Sequence, residues 1–157
     1  MPADSKLTLS AASAIIDVAL AKGQEVGLLP LTVAVLDSGG NIIALKREDG
    51  SGIMRPQIAT GKAWGSLGMG VSSRTLRDRL ADRPTFLNAL ATLSGGRLVP
   101  VPGGVLVRTS AGEILGAVGI SGDASDKDEF CAIAAVAAAG FQPDPARTSP
   151  DWAKASL

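Results

Sequence analysis

Apolar residues recur along this chain with two different spacings, and the change between them marks out its elements. Leu9, Ala12, Ile15, Ile16, Ala19 and Leu20 return every three or four positions, as on one face of a helix, with Thr8 or Ser10 available to cap its start. Gly27 offers a left-handed last residue and Pro30 stops continuation, so a helix is predicted over about Leu9–Val26. Leu31–Asp37 and Ile42–Arg47 are instead short β-like runs around Ser38-Gly39-Gly40-Asn41, the composition of a hairpin turn. After a loop over Glu48–Met54, Pro56 suits a first helical position and opens a second helix to about Leu67.

Gly61, Gly65 and Gly68 recur at helical spacing along that second helix. Each costs about 1 kcal/mol relative to alanine in a helix interior, so their face is expected to admit a close backbone. A frayed end is the other reading of Gly65–Gly70. Ser72 and Ser73 can cap a short helix containing Leu76 and Leu80, and Pro84 can open another containing Leu87 and Leu90. The four arginines Arg74, Arg77, Arg79 and Arg83 lie here with Asp78 and Asp82, which reads as a charged surface face.

From Gly95 onward three short strands are predicted: Leu98–Val101, Val105–Arg108 and Glu113–Ser121, joined by glycine-containing turns. The last is the longest and most apolar, hence central. A final helix over about Asp126–Ala139 ends at Gly140, and its small apolar body implies burial or a tight helix or subunit contact. Pro143, Pro145 and Pro150 predict an irregular tail. This order predicts one α+β domain with a five-stranded antiparallel sheet, its core spanning about 7–142.

Composition narrows the chemistry. The 157 residues are 46% hydrophobic, without a run long enough to span a membrane. Met1–Lys6 lacks the basic-then-apolar order of a secretion signal, so a cytoplasmic protein is expected. Fifteen basic residues balance fifteen acidic ones, which argues against nucleic acid as a partner. There is no histidine or tyrosine and one cysteine, Cys131. The usual base of a nucleophile triad and the commonest metal and haem ligand are therefore missing, and no metal site is expected. Proton transfer is left to carboxylates, lysines and Cys131.

Three stretches could carry chemistry. At the start of the second helix, free amides meet Arg55, and Lys62 lies seven residues on, nearly on the same face. That arrangement suits a small carboxylate or phosphate, or else pairs with Glu48 or Asp49. Gly103-Gly104 can present bare amides to an anion or simply make a turn. Asp123, Asp126, Asp128 and Glu129 crowd a helix start, where they cap the helix, hold a cation or, through Glu129, supply a general base. Cys131 reads as a buried, inert thiol.

Leu31–Gly40, Ile58–Ala63, Leu98–Val105, Gly116–Gly122 and Asp128-Glu129 resemble, in order and spacing, the GlcG/HbpS family, which includes the C-terminal domain of PduO-type proteins. The resemblance covers roughly Leu7–Gln142. It implies a profilin-like α+β domain assembled into dimers or larger rings. It also implies a small-molecule ligand: haem or a corrinoid-related partner in some members, small organic acids in others. The cleft residues implied are Arg55, Lys62, Gly103, Gly104 and Glu129. Haem-binding members rely on histidine-type ligation that this chain cannot supply, leaving only Cys131 or a methionine.

The expectation is therefore a homo-oligomer that binds a small anionic metabolite of a catabolic pathway, its carboxylate held by Arg55 and Lys62, between the second helix and Gly103-Gly104. Any catalysis would be an isomerase- or lyase-type step moved by Glu129 or Lys62 without a cofactor. The alternative is a non-catalytic haem, tetrapyrrole or corrinoid-related binding or sensor module.

Overall fold

The computed structural model describes residues 6–157, so the stretch read for a secretion signal lies, up to Ser5, outside the described residues. Helix α1 (Leu9–Glu25) starts where Thr8 Oγ1 accepts the Ala11 N–H at 3.1 Å, and Gly27 follows it at φ +74°. The hairpin β1 (Thr32–Asp37) and β2 (Ile42–Arg47) leads into α2 (Arg55–Met69), which runs two residues beyond the expected Leu67 before left-handed Gly70 ends it. Helix α3 (Ser73–Leu80) is capped by Ser72, and α4 (Pro84–Leu93) follows. The chain then forms β3 (Gly104–Arg108), β4 (Ile114–Ser121), α5 (Ser125–Ala138), β5 (Gln142–Asp144) and a 3-10 turn over Trp152–Lys154.

The sheet order is β2-β1-β4-β3-β5 with every pairing antiparallel, and β4 is central as its apolar run predicts. Alternation along the strands builds two layers. Val33 and Val35 of β1, Val105 and Val107 of β3, and Val118 and Ile120 of β4 pack under α1 and α5. Leu36, Leu106 and Ala117 point the other way, toward Ala63 of α2. Helix α2 lies very close to the sheet because Gly119 has no Cβ. One added there would run into the Ala59 carbonyl oxygen.

Five strands are present, but not the five expected. Leu98–Val101 is not a strand; it runs along α2, where Gly61 and Gly65 make room for it. A Cβ on Gly61 would come within 2.6 Å of the Arg97 carbonyl oxygen and of Val99, and one on Gly65 within 3.2 Å of Leu98. The glycine face thus meets a backbone, as its spacing predicts, but the segment so engaged cannot also join the sheet. The edge of β3 is taken by Gln142–Asp144, in the stretch expected to be irregular from 143 onward. Pro143 is tolerated because β5 is a short edge strand. Asp144 also pairs with Arg108 at 3.0 Å, and farther along the tail Trp152 stacks on Phe130 with ring centroids 3.7 Å apart.

Both features that suggest self-association in the sequence are engaged within the chain. Cys131, Ala132, Ala135 and Val136 of α5 are buried in the core with α1, and the glycines of α2 hold the 97–99 segment. Among the described residues no helix is long and apolar enough to cross a membrane.

Candidate functional site

Helix α2 presents two distinct faces, set by its 3.6-residue period. The sheet-facing side holds Arg55 and Lys62, the pair expected to bind an anion. Arg55 donates from one terminal nitrogen to Ser121 Oγ at 3.0 Å. Lys62 is 2% exposed, and its Nζ donates to the Ile120 carbonyl oxygen at 2.8 Å and to Asp128 Oδ2 at 3.2 Å. Asp128 accepts the Asp123 N–H through its other oxygen. Burial presses both members toward neutrality, lowering Lys62 and raising Asp128 to about 6, while their mutual attraction opposes it.

Gly103 and Gly104 pack against this lysine. At Gly103, φ is +123°, and a Cβ would lie 2.8 Å from Lys62 Nζ; one on Gly104 would meet the Lys62 carbonyl. The Gly104 amide, expected to be free for an anion, donates to Ser73 Oγ at 2.7 Å. Glu129 is fully buried and gripped by Arg74, whose Nε lies 3.1 Å from both carboxylate oxygens and whose terminal nitrogen lies 2.6 Å from one. Burial raises the Glu129 pKa against the pull of Arg74. The same Arg74 nitrogen donates to the Arg147 carbonyl oxygen, so the residue read as part of a charged surface face ties α5 to the tail.

The structure therefore brings Arg55, Lys62 and Gly103-Gly104 onto one side of α2, and turns Glu129 away to Arg74. Sequence reasoning named Asp128 only as a helix-capping or cation-holding acid and Arg74 only as part of a charged surface face, and missed their pairing with Lys62 and Glu129. Asp128 stands at the third position after Ser125, where helix capping explains a carboxylate without a lysine.

The other face of α2 borders an open cleft of about 500 Å³. Gln57, Thr60, Gly61 and Trp64 form one wall, Ile42 and Leu45 of β2 another, and Gly95–Arg97 the third. Arg97 places its guanidinium carbon 4.0 Å from the centre of the Trp64 ring, within cation–π range. Neither Lys62 nor Glu129 lines this space. Sequence reasoning missed Trp64 and Arg97, although one of only two tryptophans on a glycine-lined helix face was an available signal. Arg97 was hidden by reading Leu98–Val101 as a strand.

The cleft suits a flat organic molecule and offers no iron ligand. Among the described residues, none that lines it is a histidine, cysteine, methionine or tyrosine. Cys131 is fully buried in the core on the opposite side of the sheet, its thiol pushed up to about 12 by burial. Met54 and Met69 are exposed outside the lining. Among the described residues no three His, Cys, Asp or Glu side chains gather in a way that could hold a metal ion.

Comparison with known proteins agrees with this architecture. The family model described as haem degrading protein HbpS-like matches residues 7–137. A protein of Citrobacter freundii, described as an uncharacterized 15.0 kDa protein in the dhaT-dhaS intergenic region, is 28% identical over 126 residues, covering 80% of this chain and 87% of that one. The crystal structure of a PduOC:heme complex superposes with a TM-score of 0.78 at 24% identity, over 87% of this chain and 96% of that chain. An HbpS double mutant from Streptomyces reticuli gives 0.74 at 28% identity, over 88% and 90%. Protein ORFY of Klebsiella pneumoniae gives 0.77 at 23%, over 89% and 97%.

Proposed function

We propose that this chain, which belongs to the HbpS-like family of haem-degrading-type proteins, is a binding module that holds a planar ring of the tetrapyrrole class in the Trp64 cleft, by packing and not through a side-chain bond to iron. One observation carries this reading: an apolar-walled cleft of about 500 Å³, inside the size range of small-molecule sites, lined by an indole and by no residue that ligates haem iron. The family description favours a haem-related ligand over the small catabolic acid expected from the sequence. Iron ligation does not fit the residues present, so the ring and its substituents do the binding.

Lys62 and Glu129 enter this reading as structural charges. Each is buried in an ion pair, and a proton carrier needs access to the reacting atom that neither has in the cleft. The chain accordingly binds its ligand and returns it unchanged.

Parallel titrations of haemin and metal-free protoporphyrin IX test the proposal. The expected result is saturable one-to-one binding of both with affinities within about threefold, weakened at least tenfold for both by Trp64→Ala, since tryptophan is among the residues that carry most binding energy where they are covered by a partner. Saturation by haemin alone, or a Soret shift lost in Cys131→Ala, overturns it in favour of iron ligation. Binding of neither overturns it as well, and stabilisation by small aromatic acids under the same conditions would restore the metabolite reading.

A further inference from the structure

We infer, building on the ring-binding reading above, that Arg97 is the residue by which the cleft selects its ligand, admitting rings that carry an acid group over those that do not. Among the described residues, Arg97 is the only charged one lining the cleft. Its Nε is engaged, donating to the Ser94 carbonyl oxygen at 2.9 Å. Its two terminal nitrogens have no hydrogen-bond partner among the described residues, and no carboxylate there forms an ion pair with it. A guanidinium with its fork unoccupied matches the two oxygens of a carboxylate.

The mount is rigid, which keeps this fork in place before any ligand arrives. Helix α4 ends in two left-handed glycines, Gly95 at φ +64° and Gly96 at φ +80°. Their amides return to the carbonyls of Thr92 and Ala91 at 3.1 and 2.8 Å. Ser94 Oγ then accepts the Leu98 N–H at 3.3 Å, and bare Gly61 receives the Arg97 carbonyl against α2. Trp64 lies beneath the guanidinium and holds it at the rim without neutralising it. The arginine expected from the sequence to hold the acid, Arg55, points to Ser121 and is absent from the lining. A cationic ring finds no counter-charge here, because the described lining contains no carboxylate, and an uncharged one gains no ion pair from the guanidinium.

Protoporphyrin IX and its dimethyl ester, which differ only in whether the two acid groups are free, provide the test, with Arg97→Gln and Arg97→Lys beside the native chain. Arg97 is exposed, so these variants keep the fold, and circular dichroism checks that they do. The native protein is expected to bind the free acid at least tenfold more tightly than the ester. Arg97→Gln binds both with the affinity of the ester, and Arg97→Lys recovers only part of the preference, because an ammonium is a point charge without the fork. Equal binding of acid and ester by the native protein, or a preference that survives in Arg97→Gln, overturns the role of Arg97 and leaves the ring-binding reading standing. Failure of the native protein to bind either compound removes both.

Discussion

Replacing Lys62 by methionine separates a structural lysine from a ligand-binding one. The side chains of Lys62 and Asp128 are 2% and 1% exposed, so little solvent screens the pair. Removing one partner of such a pair leaves an uncompensated buried charge and costs about 3–5 kcal/mol. For a chain of this length that lowers the melting temperature by roughly 10 °C. Adding Asp128→Asn to Lys62→Met removes the stranded charge while keeping an acceptor for the Asp123 N–H, so the double variant is expected to be more stable than Lys62→Met alone. Asp128, raised to about 6 by burial even beside the ammonium, rises further without it. A carboxyl whose folded pKa exceeds its unfolded value near 3.8 binds more protons when folded, so its contribution to stability is full below pH 4 and falls as pH rises through the folded pKa. The loss in Lys62→Met is accordingly small near pH 4 and complete by pH 8, and this dependence vanishes in the double variant. Urea unfolding of the three proteins at pH 4, 6 and 8 measures it. A cost below about 1 kcal/mol at pH 8, or a further loss on adding Asp128→Asn, refutes the reasoning and frees Lys62 for a ligand.

Two further outcomes test the packing around the cleft and the core. Gly61→Ala drives a methyl into the Arg97 carbonyl and Val99, and overpacking of this kind costs about 1–3 kcal/mol; because it displaces Arg97, it should also reduce the acid-over-ester preference, whereas Gly68→Ala, helical and with open space around it, should leave the preference unchanged and raise stability by up to about 1 kcal/mol. Cys131, buried with its thiol pushed up to about 12, should stay unmodified by a thiol reagent at pH 8 in the native state and react fully in denaturant; rapid native labelling would contradict its burial.

The scaffold was readable from the sequence where one local rule decided the outcome. The period of α1, the turn residues between β1 and β2, and the apolar run of β4 each specify an element without help from the rest of the chain. Strand membership at the far edge was not local. Leu98–Val101 and Gln142–Asp144 compete for roles that depend on where α2 lies, and the tail carries the prolines that argue against a strand. The glycines of α2 held the missing information, since they announced a close backbone without naming it. Once Leu98–Val101 is assigned to that groove, β3 needs another neighbour, and Arg108 supplies an attachment for Asp144.

The site follows the same logic one level up. Helical spacing correctly places Arg55 and Lys62 on one face of α2, but spacing says nothing of what that face packs against, and here it meets Gly119, Gly104 and Asp128. Small residues on the sheet draw the helix in so closely that its charges become part of the core. The side that borders the open cleft is then the opposite one, where Trp64 is only half buried and Arg97 arrives from a segment far along the chain. A glycine face on one helix thus has two consequences: it withdraws a segment from the sheet, and it sets that segment's arginine at the mouth of the cleft.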